Sequence, residues 1–122
     1  AAHVVLDDDV ALGFLDVRPL FEGHVLVVPR DHIEVLAELP ADAIGPFFER
    51  VQRVATAVED ACGAQGSFVA INNVVSQSVP HLHFHVVPRT KGDGLRGFFW
   101  PRTKYASGEE AESYASEIRA KM

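Results

Sequence analysis

Residues 76–89 read SQSVPHLHFHVVPR, and their reading decides the rest. From His81 to Val87 (HLHFHVV) the residues alternate imidazole with apolar side chain, walled by Pro80 and Pro88, which is the pattern of a strand with two unlike faces. Side chains alternate across a strand, so His81, His83 and His85 share one face, with successive Cα atoms roughly 6.5–7 Å apart. Leu82, Phe84 and Val86 take the other face and enter a core. Three imidazoles in line are costly as packing alone, because each ring carries polar nitrogens that need partners.

Outward from the triad, the pattern is that of a small α+β protein. Residues 3–6 (HVVL) and 10–17 (VALGFLDV) flank the turn Asp7-Asp8-Asp9 and predict a hairpin. Residues 24–28 (HVLVV), closed by Pro29, predict a buried strand, and 67–72 (SFVAIN) another. A helical turn or two fits His32 to Leu39. Ile44, Phe47, Phe48, Val51, Val54, Ala55, Val58 and Cys62 form one stripe at helical spacing, so Asp42 to Cys62 is the long helix. Asp42 is its expected N-cap and Gly63 its terminator, with Pro46 expected near the first turn. A second helix starts at Ser107 with a capping box to Glu110, and its apolar stripe is Ala111, Tyr114, Ala115 and Ile118. Cys62 is expected to be buried and inert, and His3 and His24 to be surface or strand-end residues. Phe98, Phe99 and Trp100 are expected in a core or an interface.

The chain has 122 residues, which suits one domain spanning 1–122. With 48% apolar and 23% charged residues it is an ordinary globular composition, and no apolar run approaches a membrane span. The net charge of −6 argues against a general nucleic-acid binder. Residues 1–60 carry 12 acids against 4 bases, whereas 89–104 carry five bases against Asp93 alone, a short basic loop suited to a small anion. A single cysteine cannot form an internal disulfide, and a cytoplasmic compartment is expected.

Two chemistries suit the triad. Alternating histidines can ligate zinc, with His32 as a further ligand. Alternatively, a neutral imidazole is a good nucleophile toward phosphorus, and the donors Ser76, Gln77 and Ser78 just ahead of the triad can hold phosphate oxygens or a leaving group.

The segment SQSVPHLHFHVVPR resembles the signature of the histidine triad (HIT) superfamily. GHVLVVPRDHIEVL at 23–36 resembles the family's strand leading to a histidine, and FLDVRP at 14–19 its nucleoside-pocket segment. The resemblance covers residues 3 to about 101 and is nearest to the Hint-like branch of nucleotide-binding phosphoramidases. It implies a HIT-like fold of about five mostly antiparallel strands, a long helix and a C-terminal helix. It implies that His83 attacks the α-phosphorus to form a nucleotidyl-histidine intermediate. His85 then touches the phosphate, and His81 orients the network with His32 behind it. By the same resemblance Asp16 binds the ribose, Phe14 and Val17 flank the base, Asn72 or Asn73 meets the sugar–phosphate, and Gln77 and Ser78 meet the phosphate or leaving group.

The activity so implied is hydrolysis of purine nucleoside phosphoramidates or acyl-adenylates to AMP, by a homodimer with no required metal. Dinucleoside polyphosphate hydrolysis and a nucleotide-binding module with little catalysis are the alternatives. Some bacterial members place a Cys-x-x-Cys pair ahead of the first strand and bind a structural zinc with the counterparts of His32 and His81. Such a pair is not visible in this sequence: either the protein lacks that zinc, or an N-terminal extension carrying the pair is missing and a structural zinc on His32 and His81 goes with it.

Overall fold

The structure is a computed structural model that describes residues 2–95 and 102–122. Phe98, Phe99, Trp100 and the basic Arg96 lie outside the described residues. Five strands, β1 (Val4–Asp7), β2 (Ala11–Leu15), β3 (Val25–Pro29), β4 (Gly66–Ala70) and β5 (Phe84–Arg89), form one antiparallel sheet in the order β1-β2-β3-β5-β4. The long helix α1 (Ala41–Cys62) crosses between the two strand groups, and α2 (Gly108–Lys121) follows. The expected α+β fold with a five-stranded antiparallel sheet is the fold observed.

Binary patterning explains which face goes where. Val25 and Val27 of β3 and Phe84 and Val86 of β5 are buried against α1, whose inward stripe is Phe47, Val51, Val54 and Val58. Phe47, Phe48 and Phe84 meet edge to face, with ring centroids 5.2–6.0 Å apart. The opposite face carries the next residues along: register places Phe14 beside Leu26 and Leu26 beside His85, so these three form one row across β2, β3 and β5.

Several boundaries differ from expectation. β5 starts at Phe84, not at residue 81, although Leu82 is buried and the alternation runs on through it. Ahead of Phe84 the ladder is replaced. The Leu82 N–H donates to the Ile33 carbonyl (2.6 Å), and Pro29 of β3, which lacks an N–H, uses its carbonyl to accept from His81. At the other end β5 runs through Pro88. β3 pairs with β5 only as far as Val86, so the missing Pro88 N–H forfeits nothing on that side.

Asp42 is not the cap of α1. The helix opens at Ala41 with Pro40 at the N-cap (φ −60°, ψ 147°), and Asp42 sits in the first turn, where its carboxylate faces the positive end of the helix dipole. Pro46 falls in the second turn on the exposed side, and Gly63 ends the helix in the left-handed region (φ 60°). Cys62 is exposed, not buried; its thiol lies 3.8 Å from the Glu22 carbonyl. It stands so close to Gly23 (φ +98°) that a Cβ there would meet Sγ at 2.4 Å.

In α2 the Ser107 hydroxyl accepts from the Glu110 N–H (3.1 Å), while the Glu110 carboxylate turns back to the Ala106 N–H, one residue earlier than a capping box requires. The stripe of α2 is not packed: Tyr114 is 55% and Ile118 60% exposed, and no residue of the helix is buried. None of the described helices is long and apolar enough to cross a membrane.

Candidate active site

The sheet face away from α1 floors a cleft of about 570 Å³. Its walls are Phe14, Asp16, Val17 and Arg18 from the end of β2, Leu26 and Val28 from β3, Ser78 and Val79, and all three triad histidines. The three imidazoles line its β5 side, and Phe14, Val17 and the charged Asp16 and Arg18 its β2 side. The two ends are two strand spacings apart, about 10 Å.

Hydrogen-bond partners set the tautomer of each imidazole. His83 Nδ1 lies 2.7 Å from the His81 carbonyl, which can only accept, so Nδ1 carries the proton and Nε2 keeps its lone pair. His81 Nε2 lies 3.1 Å from the Pro29 carbonyl and therefore donates to it. The remaining two rings form a chain that starts at the backbone. The Leu20 N–H donates to His24 Nδ1 (3.1 Å), so neutral His24 holds its proton on Nε2, 3.0 Å from His85 Nδ1. His85 Nδ1 accepts, and neutral His85 must carry its own proton on Nε2. The site thus offers one imidazole lone pair on His83 beside one N–H on His85, with ring centroids 5.1 Å apart.

Burial favours the neutral form of both members of the His24–His85 pair. Desolvation lowers the pKa of His24, opposed by the Asp16 carboxylate at 3.8 Å. Desolvation also lowers that of His85, reinforced by His24 and His83 and opposed by Asp16. Asp16 itself is fixed from behind: its Oδ1 accepts from the Arg18 N–H (2.9 Å), and its backbone N–H donates to the His24 carbonyl (2.9 Å).

His24 directly precedes β3, one of the two placements expected for it, but it is no surface residue: it is 2% exposed and part of the polar network. The period-two rule carries the signal that finds it. His24, Leu26 and Val28 share the face opposite Val25 and Val27, and Leu26 is in register with His85. Arg18, Leu26, Val28 and Val79 are further lining residues absent from the sequence expectation.

The structure brings together Phe14, Asp16, Val17, Ser78, His81, His83 and His85. His32 is not among the lining residues. Its ring stands edge-on to His81 at 5.3 Å, the neighbour expected for it, but its side chain is 69% exposed; the imidazole that bonds to His85 is His24. Asn72 is exposed and does not line the cleft; Asn73 accepts from the Leu36 N–H (2.9 Å). Gln77 also turns away. Its Nε2 donates to the Glu34 carbonyl (2.6 Å) and its Oε1 accepts from the Val74 N–H (2.9 Å).

Metal binding fits these residues poorly. His32 and His81 supply half of a four-donor tetrahedral zinc set, and Cys62, the one cysteine, lies at the far end of α1. Asp16, His24 and His85 place one ligand atom each within 4.8 Å of one another. A cation there would need the lone pair of His24 Nε2, the atom on which the Leu20 N–H keeps the proton.

Comparison with known proteins agrees with the fold. The HIT domain model matches residues 1–92. An uncharacterized HIT-like protein of Methanocaldococcus jannaschii is 40% identical over 95 residues, covering 76% of this chain and 73% of its own. The adenosine 5'-monophosphoramidase hnt1 of Schizosaccharomyces pombe is 31% identical over 115 residues, 93% of this chain and 83% of its own. Among solved structures, a HIT family protein from Bacillus subtilis superposes with a TM-score of 0.89 at 30% identity, over 100% of this chain and 89% of its own. The chain belongs to the HIT family, whose members include nucleotide hydrolases.

Proposed function

We propose that this protein hydrolyses purine nucleoside 5'-phosphoramidates or acyl-adenylates to AMP through a nucleotidyl-histidine intermediate. The observation that carries the reading is the 2.7 Å bond from His83 Nδ1–H to the His81 carbonyl, which leaves Nε2 as the free lone pair in the cleft. In the first step His83 Nε2 bonds to the α-phosphorus, and the bond from phosphorus to the leaving amine or acyl oxygen breaks with its electron pair. His85 Nε2–H and the Ser78 hydroxyl hold the phosphoryl oxygens as charge develops. In the second step water bonds to phosphorus, the P–Nε2 bond breaks, and the lone pair returns to His83. The amine takes a proton from solvent as it leaves in the first step, and the proton that the attacking water sheds in the second step replaces it while its hydroxyl stays on AMP, so the balance closes. Two easier displacements replace one hard one.

Nucleoside recognition follows the apolar end of the cleft. Phe14, Val17, Leu26 and Val28 form a surface for a purine, and Asp16 Oδ2 accepts from ribose hydroxyls. The role requires no metal, since the developing charge meets N–H and O–H donors. The working unit in this reading is a homodimer in the cytoplasm: Ile44 and Phe48 of α1 and Val69 of β4 expose apolar surface that a second copy could cover.

The test is a fluorescence assay with an adenosine phosphoramidate carrying an indole amine, run on wild type and His83→Ala with and without a chelator. The expected result is chelator-insensitive turnover that falls by about 10³-fold or more in the mutant. AMP binding without turnover by the wild type would make the protein a binding module. Faster cleavage of a dinucleoside polyphosphate would move the substrate to that class.

A further inference from the structure

The segment that delivers Ser78 to the cleft is built against its own backbone preferences. Val74 and Ser76 both adopt left-handed backbone (φ 68° and 63°), although neither is glycine and Val74 is β-branched. A Cβ in that region crowds the following carbonyl, and a branched one does so most. Burial does not hold the turn, because Val74 and Val75 are 74% and 78% exposed.

The side chain of Gln77 does hold it. Its carboxamide oxygen accepts from the Val74 N–H (2.9 Å), and its NH₂ donates to the Glu34 carbonyl (2.6 Å). Asn73 adds a parallel tie, accepting from the Leu36 N–H (2.9 Å). The segment receiving both ties is itself anchored, for Ile33 is buried and its carbonyl accepts from the Leu82 N–H. Both ends of the Gln77 amide are therefore engaged with backbone on two different segments, and its next residue, Ser78, lines the cleft.

We propose that Gln77 is a positioning residue: its carboxamide staples the strained 73–76 turn to residues 34–36 and thereby presents Ser78 to the phosphoryl site, without touching substrate. The proposal rests on the reading of the cleft as a nucleotidyl-transfer site. It makes a distinctive claim, that the work of Gln77 is to hold Val74 in a conformation which glycine would adopt unaided.

The experiment compares kcat and KM for the adenosine phosphoramidate in wild type, Gln77→Ala, Gln77→Glu, Val74→Gly and the Val74→Gly/Gln77→Ala double variant. Gln77→Ala is expected to lower kcat by about 10–100-fold, the scale of a misplaced group, with KM changed by less. Gln77→Glu behaves alike, because a carboxylate still accepts from Val74 but cannot donate to the Glu34 carbonyl. In the double variant most of the lost kcat returns. If Gln77 contacts substrate directly, Val74→Gly gives no recovery, and that outcome overturns the proposal.

A readout without substrate separates the staple from the reaction. In wild type the exposed Val74 and Leu36 amides are expected to be protected from hydrogen exchange, and in Gln77→Ala the protection of Val74 is lost. A wild type whose Val74 amide exchanges freely overturns the staple even if Gln77→Ala fails to fold. Wild type that does not turn over the phosphoramidate, yet protects Val74, removes the reaction and leaves the staple standing.

Discussion

Imidazole chemistry is decided one ring nitrogen at a time. The same side chain is a nucleophile at His83 and a donor at His85, because one ring gives its Nδ1 proton to a carbonyl and the other accepts at Nδ1 from His24. The Leu20 N–H sits at the head of that chain, so a backbone donor four residues before His24 sets a proton on His85. Replacing His24 with Phe keeps a ring in the space but removes both the acceptor and the donor. We expect kcat to fall by about 10²-fold with AMP affinity little changed, and the ¹⁵N shifts of the His85 ring to show a mixture of tautomers. Unaltered kcat and a single His85 tautomer would sink the relay.

Titration of the same pair bears on stability. His24 and His85 have lowered pKa values in the folded protein, so below the unfolded value of about 6.5 the unfolded chain binds more protons. Their contribution is constant above that pH and is lost as the pH falls through the folded values. Thermal midpoints are expected to be flat from pH 8 to 7 and to decline below about 6.5, with a shallower decline in His24→Phe. Asp8 and Asp93, whose carboxylates are held below their usual range by backbone N–H groups and by arginine, act only at more acid pH.

At the scale of elements, the joints matter more than the spans. β3 enters the sheet from the Phe21–His24 turn, and that turn packs against the end of α1 through Gly23 and Cys62. Gly23→Ala would add both a strained φ of +98° and a 2.4 Å approach to Sγ. The expected loss is about 2 kcal/mol or more, of which the backbone share is about 1–2 kcal/mol. Cys62→Ala in the same chain should recover the clash but not the backbone share, a coupling that denaturant titration of the double-mutant cycle reads directly. Simple additivity of the two variants would show that the thiol moves aside freely.

Taken whole, the molecule divides its sheet between two tasks. One face is given to α1 and the core, and the other to the cleft, with β5 in the interior of the sheet serving both through alternate residues. Phe48 of α1 (38%) and Val69 of β4 (40%) are apolar and exposed. In the homodimer reading this is where a second copy completes the apolar surface. Phe48→Glu is expected to give a monomer by light scattering where wild type gives a dimer, with the antiparallel sheet signal retained. A wild-type monomer at working concentration would remove that assembly.

Much of this was legible in the chain alone, because alternation and helical spacing are local properties. The triad face, the core residues Leu82, Phe84 and Val86, the α1 stripe and the strand count follow from periods of two and 3.6 that each segment carries by itself. Phe14, Asp16, Val17 and Ser78 were reached through the resemblance and do line the cleft. Partnership across segments was not legible. That His24 bonds to His85 depends on strand register, which sets Leu26 against His85 and so brings His24 to the network, while His32 stands against His81 and stays largely exposed. Whether Gln77 faces phosphate or backbone depends on where residues 34–36 come to rest. Sequence determines which face a side chain takes, since that is fixed by its neighbours along the chain. Only the tertiary structure decides which hydrogen-bond donor meets it there, because that donor arrives from a distant segment whose placement is settled by packing.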